Sequence, residues 1–362
     1  MQYKNTVSSA RLARYAVGLT ALAAATSGHA QSSVILYGIV DSGVAYVTNA
    51  GKSGGKTGGA TQMISGGEAA DRFGLQGVED LGGGMKAIFT LENGFSVANG
   101  TLQQGGRLFG RQAFVGLKTP YGTVTLGRQK VPIYDYFFPL DPLAYFNWSL
   151  VAQDAQYANR ADNSIKYVTS IGNFGFDALY STGYDATIVN GGQIPGEFRV
   201  GQEISVGTSY TAGPILAALA YDLRRGTSTS TQSDKEQRLT AGLSYQVIPA
   251  LKLFAGYKWF NSSIPATAAR SDMYYGGFQY RVSPALFVSG ATYYTDITSA
   301  HQHPIDFGVN ASYFLSKRTS LYAAASYVKN SNGSNLGVAG FGSGVVAGSN
   351  QTGVEVGINH KF

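Results

Sequence analysis

Along most of the chain apolar and polar positions alternate with a period of two. Leu239, Ala241, Leu243, Tyr245 and Val247 alternate with Arg238, Thr240, Gly242, Ser244 and Gln246. Leu251, Leu253, Ala255, Tyr257 and Trp259 do the same, as do Phe307, Val309, Ala311, Tyr313 and Leu315. At the carboxyl end Val354, Val356, Ile358, His360 and Phe362 oppose Gly353, Glu355, Gly357, Asn359 and Lys361. Successive side chains of a strand point to opposite faces, so each stretch has one apolar face and one small or polar face. Helical spacing fits these stretches poorly, and their Val, Tyr, Phe and Gly disfavour a helix.

The punctuation between the strands is of two kinds. Short turns fall at Asp80-Leu81-Gly82-Gly83, Thr119-Pro120-Tyr121-Gly122, Ala212-Gly213-Pro214, Ile248-Pro249-Ala250, Ser283-Pro284-Ala285 and Ser316-Lys317-Arg318. Longer connections rich in Gly, Ser, Asn and Thr are predicted at 48–70, 96–106, 184–200, 225–235, 261–271, 296–304 and 330–350. Short turns at one end and long loops at the other are the layout of a transmembrane β-barrel. Counting elements predicts an all-β fold, a 16-stranded antiparallel barrel over residues 31–362. That is about 21 residues per strand with its connection, enough for a tilted span of ~10 residues. Sixteen strands leave a water-filled lumen, whereas eight would be filled by side chains. A secreted β-rich structural or adhesion protein would also alternate. It would need two stacked domains for so many strands, and no linker divides this chain.

Composition narrows the picture. Only 13% of residues are charged, about half the usual ~25%, and 48 are glycine. There is no cysteine, which excludes disulfides and cysteine-based metal or redox sites. No apolar run approaches the ~20 residues of a spanning helix. Residues 1–30 carry Lys4, Arg11 and Arg14, no acid, an apolar stretch from Ala16 to Ala25, and small residues at Gly28 and Ala30. These are the parts of a cleaved secretory signal peptide. Its removal takes three bases with it, so 24 remain against 21 acids and the formal charge falls from +6 to +3. A nucleic-acid partner then loses its main support.

Catalytic and metal signals are sparse. Gly51-Lys52-Ser53 and Gly55-Lys56-Thr57 imitate the end of a phosphate-binding loop, but Tyr46 and Ala50 stand where its earlier glycines belong. Beyond the leader the histidines are His301, His303 and His360, none beside a serine in a nucleophile motif. No enzyme, cofactor or metal is expected.

Several segments together resemble the general Gram-negative porins, in their β-proteobacterial branch. They are Ser33-Val34-Ile35-Leu36-Tyr37-Gly38-Ile39-Val40-Asp41, Asp71-Arg72-Phe73-Gly74-Leu75 and Phe109-Gly110-Arg111-Gln112-Ala113-Phe114-Val115-Gly116-Leu117. Gly127-Arg128-Gln129, Asn163-Ser164-Ile165-Lys166-Tyr167 and Phe362 continue the series in order along the chain. The resemblance implies a homotrimeric outer-membrane channel, bedded in lipid and lipopolysaccharide, for passive diffusion of small hydrophilic solutes and ions. A solute-specific channel is the variant of that reading. It also implies that the assembly machinery reads Phe362, and that the third loop folds into the lumen.

That loop is residues 130–162, about 33 residues rich in Tyr, Phe and Trp, so it should pack against something. If it lies in the lumen, its acids Asp135, Asp141 and Asp154 offer negative charge there, although a turn-forming role fits each equally. Arg72, Arg111 and Arg128 fall on strands 2, 4 and 5, and Arg160 follows the loop. An arginine on the lipid face at the midplane costs ~2–4 kcal/mol, so these are expected to point inward. In related porins residues matching Arg72, Arg111 and Arg160 form a cluster with an acid matching Glu92 beside it. Facing arginines and carboxylates would set a transverse field. With few certain acids, a weak anion preference is expected. Arg128 fits either the lumen or an ion pair within the wall.

Overall fold

The computed structural model describes residues 33–51, 57–185 and 193–362; the signal peptide expected over 1–30 lies outside the described residues. The first half of the chain forms β1 (Ser33–Gly51), β2 in two segments (Thr57–Ser65 and Arg72–Gly82), β3 (Met85–Gly94), β4 (Gln112–Thr119) and β5 (Gly122–Lys130). Next come β6 (Arg160–Ile171), β7 (Phe174–Ser181), β8 (Glu203–Ala212), β9 (Ile215–Arg225), β10 (Lys235–Ile248) and β11 (Leu251–Ser262). The last five are β12 (Ala269–Arg281), β13 (Leu286–Asp296), β14 (Ile305–Phe314), β15 (Thr319–Lys329) and β16 (Gln351–Lys361). Each strand pairs antiparallel with its neighbours in sequence, and β1 pairs with β16 from Ile39↔Lys361 to Val47↔Gly353, closing a 16-stranded barrel. Phe362 seals the seam, exchanging two backbone hydrogen bonds of 3.1 Å with Gly38. Closure removes the unpaired edges that lipid cannot solvate.

The segment 48–70, expected as a loop, is mostly wall. β1 runs on to Gly51, and β2 pairs with it twice, through Thr57–Ser65 against its second half and Arg72–Val78 against its first. Between these segments residues 66–71 leave the sheet. Asp41 holds them there. Its buried carboxylate accepts from the backbone N–H groups of Gly67, Glu68 and Ala69 at 2.9–3.1 Å, from Tyr322 Oη at 2.7 Å and from Asn359 Nδ2 at 2.8 Å. Five donors satisfy a charge that burial would otherwise penalise by several kcal/mol. A tight turn between Ile171 and Phe174, unmarked by proline, also escaped the sequence reading.

The apolar core lies inside the barrel, against the long connection between β5 and β6. This inner loop (residues 131–159) carries α1 (Pro132–Phe137), opened by a proline at its first position where no backbone donor is needed, and α2 (Leu150–Gln153). Val131, Ile133, Phe137, Leu140, Leu143, Leu150 and Tyr157 are buried with the wall residues Ala218, Ala220, Met273, Tyr275 and Tyr293. The wall makes room with glycines on alternate strands. A β-carbon at Gly207, Gly242, Gly277, Gly308 or Gly353 would come within 3.0 Å of Tyr136, Phe137, Pro142, Leu143 or Trp148 respectively. Part of the high glycine content is therefore a seat for this loop. Gly308→Val on β14 is expected to push Leu143 out of place, costing roughly 1–3 kcal/mol in overpacking. It should lower the temperature of heat-modified gel migration and change single-channel conductance; unchanged values for both would show that the loop is not seated there.

Outside, the strands present the alternating apolar set read from the sequence: Leu239, Leu243, Leu253, Val309, Val354, Val356 and Ile358 are all exposed. Exposed tyrosines cluster towards the two ends of the strands, Tyr210, Tyr245, Tyr280 and Tyr313 near the short turns, and Tyr46, Tyr180, Tyr274 and Tyr327 nearer the long loops. An apolar band between aromatic girdles is the surface of a barrel solvated by lipid.

Candidate channel constriction

The inner loop and the 66–71 excursion narrow the lumen together, joined where Asn147 N–H donates to Gly67 C=O at 2.8 Å. They border a cavity of about 510 Å³ whose charged lining is Arg72, Arg111, Arg160 and Lys361 against Glu68 alone among the described residues. Alternation on β2 turns Phe73 and Leu75 outward and Arg72 into this space, as the pattern predicts. Arg111 is fixed from behind: its Nε donates to Glu92 Oε1 at 2.8 Å, and Tyr37 Oη donates to Glu92 Oε2 at 2.9 Å. Arg72 Nε donates to Ala70 C=O at 2.9 Å and Arg160 Nη1 to Ala158 C=O at 2.5 Å, contacts that orient both guanidinium groups without neutralising them. Arg160 and Lys130 also lie 5.2 and 4.6 Å from the ring centroid of Tyr134. Tyr134 registers the resulting potential. Burial alone would raise its pKa, yet Lys130, Arg160, Arg111 and Arg72 together hold it below the ordinary tyrosine value.

The loop acids are placed differently from the expectation that they face the arginines. Asp135 pairs with Lys166 on β6, which also binds Asp177 on β7. Asp141 is 1% exposed and shapes a turn, accepting from Leu143 N–H at 3.1 Å, Tyr145 N–H at 3.0 Å and Tyr293 Oη at 3.0 Å. Burial raises its pKa despite these donors. Asp154 reaches the opposite wall, where its Oδ2 accepts from Arg238 Nε and Lys258 Nζ, both at 2.8 Å. Burial pushes its pKa up, but Arg238 and Lys258 outweigh that and hold it well below the carboxylate range. For Asp141 and Asp154 the physical reason is burial, which a carboxylate tolerates only when paired or capped, whereas Asp135 is exposed and paired with Lys166. The residues that the loop contributes to the lining of this cavity are uncharged, from Tyr134 through Phe146 and Asn147 to Val151.

Arg128 takes the wall option. Its Nη1 donates to Asp162 Oδ1 at 2.6 Å and its Nε to Gly110 C=O at 2.6 Å, while Arg107 binds the other oxygen of Asp162 at 3.1 Å. Three lining groups, Glu68, Tyr134 and Lys361, were not among the site residues expected from the sequence. Glu68 was hidden in an expected loop and is held by Ser312 and Ser320 across the barrel. Tyr134 was legible only as a loop residue, and Lys361 only as a position on the polar face of the last strand.

A closed sixteen-stranded barrel with an apolar exterior, an inner loop and an arginine-lined passage defines an outer-membrane diffusion channel. The chain belongs to the Gram-negative porin family, whose profile matches residues 18–333. It is 33% identical to outer membrane porin protein 32 of Delftia acidovorans, over 96% of this chain and 99% of that protein. It is 31% identical to an outer membrane porin protein of Bordetella pertussis, over 93% of this chain and 96% of that protein. Among solved structures it resembles the anion-selective porin from Comamonas acidovorans, with a TM-score of 0.77 and 29% identity over 92% of this chain and 100% of that one. A Salmonella typhi OmpF complex shares the fold at a TM-score of 0.61 and 16% identity, covering 91% of this chain and 97% of that one. The protein is thus an outer-membrane porin that passes small solutes, and the reading as a secreted structural or adhesion protein is displaced.

Proposed function

We propose that this porin is a passive, weakly anion-preferring channel without enzymatic activity, working as a homotrimer in lipid and lipopolysaccharide after loss of residues 1–30. One observation carries the selectivity: the three acids of the inner loop are spent on anchoring it, while Arg72, Arg111, Arg160 and Lys361 face Glu68 in the passage. The likeness to an anion-selective porin agrees with this reading. Strands β1 to β5 alternate less cleanly than β10 to β14, which suits a wall meeting another subunit. The carboxyl-terminal Phe362, whose ring lies over Gly38, is in this reading the residue recognised by the barrel-assembly machinery. The test is a planar bilayer under a KCl gradient. A modest chloride-side reversal potential, with openings grouped in threes, is expected; clear cation selectivity would refute the anion preference, and single independent openings the trimer.

A further inference from the structure

We propose that the vestibule on the long-loop side of the constriction holds a second anion site, built for a small oxyanion of more than one charge such as sulfate or inorganic phosphate. The proposal rests on a cavity of about 220 Å³ lined by Arg107, Arg128, Arg160 and Arg224, with Asp185 as the one carboxylate on its lining among the described residues. The four arginines come from four separate places: the connection between β3 and β4, strand β5, the start of β6 and the end of β9. Their convergence is a product of the closed wall, and nothing in their spacing along the chain announces it. Arg160 also lines the constriction, so the site is the step immediately before it.

Two of these groups are not yet satisfied. Nε of Arg160 and Nε of Arg224 are both buried, and neither has a hydrogen-bond partner among the described residues. One terminal nitrogen of each is occupied in a way that holds the plane still. Arg160 Nη1 is spent on Ala158 C=O at 2.5 Å. Arg224 Nη1 donates to Gln156 Oε1 at 3.2 Å and meets Glu236 at 3.5 Å, and its guanidinium carbon lies 3.8 Å from the centroid of the Tyr184 ring. A buried, charged N–H without an acceptor is costly in a folded protein and calls for one. Arg107 and Arg128 are already paired with Asp162, and Arg107 with Asp185 at 3.1 Å, so these four groups balance in formal charge and losing Arg107 would turn that side of the cavity negative.

The ligand class follows from this donor set. Guanidinium groups converging from four separate places call for several acceptor oxygens on one ligand, which sulfate or phosphate offers and chloride does not. The cavity is also smaller than the ~300–1,000 Å³ of sites for drug-sized molecules. The site deepens the anion-preferring reading, because it adds residence of a particular anion to selection by sign.

The test is chloride current through the full-length channel in a bilayer, with sulfate and then phosphate titrated on the long-loop side at constant ionic strength. Wild type should show a saturable fall in chloride current. Arg224→Lys keeps the charge but loses the planar fork of guanidinium donors, and should weaken the apparent affinity about tenfold. Arg107→Gln, which leaves the inner-loop contacts intact, should weaken it as well, while Arg72→Gln should retain it. Heat-modified gel migration verifies that each variant is folded. A current that falls without saturation, or an affinity unchanged in both Arg224→Lys and Arg107→Gln, overturns the proposal. Block abolished by Arg72→Gln alone would overturn it too, by placing the anion at the constriction. The KCl reversal potential of wild type fails separately: a cation-selective channel would sink the selectivity reading, while the sulfate titration still decides this site.

Discussion

Replacing Arg111 with alanine is expected to move the KCl reversal potential towards the cation side, by more than the loss of one surface charge would. Arg111 lies in the passage, yet its Nε is 2.8 Å from Glu92, which is 3% exposed. Removing the guanidinium deletes a positive charge and uncovers a negative one, leaving Glu92 with Tyr37 as its hydrogen-bond donor. A unit charge ~10 Å away contributes about 1.7 kcal/mol at an effective dielectric of ~20, less after salt screening, so a several-fold fall in the chloride-to-potassium permeability ratio is expected. Breaking a buried pair from one side also costs roughly 3–5 kcal/mol of stability. The double variant Arg111→Ala with Glu92→Gln separates these effects, because it removes both charges. It should recover part of the selectivity and most of the stability. An unchanged reversal potential in Arg111→Ala would take this residue out of the constriction.

The second large effect is expected from Asp154→Ala. This carboxylate joins the inner loop to β10 and β11 through Arg238 and Lys258, and its other oxygen accepts from Gln156 N–H at 3.0 Å. Gln156 and Gln153 extend the same attachment to Glu203, Asp222 and Asp306 on the wall. Without Asp154 the buried Lys258 loses its carboxylate partner, while Arg238 keeps Glu236 at 2.7 Å and Asp222 at 3.9 Å. The variant should lose roughly 3–5 kcal/mol of stability and show larger, noisier conductance as that end of the loop loosens. The pH dependence has a definite sign. A carboxylate whose pKa is lowered on folding stabilises the fold above its unfolded pKa of ~3.9, and that contribution is lost only as pH falls through the lower folded value. The Asp154 attachment is thus complete at neutral and mildly acidic pH, and wild-type conductance noise should not rise between pH 7 and pH 5. A quiet Asp154→Ala channel of wild-type conductance would show that the apolar seat holds the loop unaided.

The strands were legible because lipid and water impose their demands locally. Leu239 and Leu243 must face outward and Thr240 and Gly242 inward whatever the rest of the molecule does, so alternation records the wall residue by residue. The same logic placed Arg72. The excursion at 66–71 was illegible because its cause lies elsewhere: Asp41, Tyr322 and Asn359 come from three strands that meet only when the barrel closes. The loop acids show a similar limit. Asp135, Asp141 and Asp154 look alike in sequence, and their partners Lys166, Tyr293, Arg238 and Lys258 sit on four different strands.

By itself, then, the amino-acid sequence determined a lipid-facing barrel of sixteen strands, a long aromatic loop that must pack against something and the inward sense of a few arginines, because strand periodicity and burial cost act on each residue where it stands. Only the tertiary structure placed the charges of the passage. Charge in a narrow lumen depends on which groups are neutralised by partners far away in the chain, and here the loop's acids are neutralised or buried and Arg111 is paired with Glu92, while Arg72 and Arg160 line the passage held by backbone carbonyls.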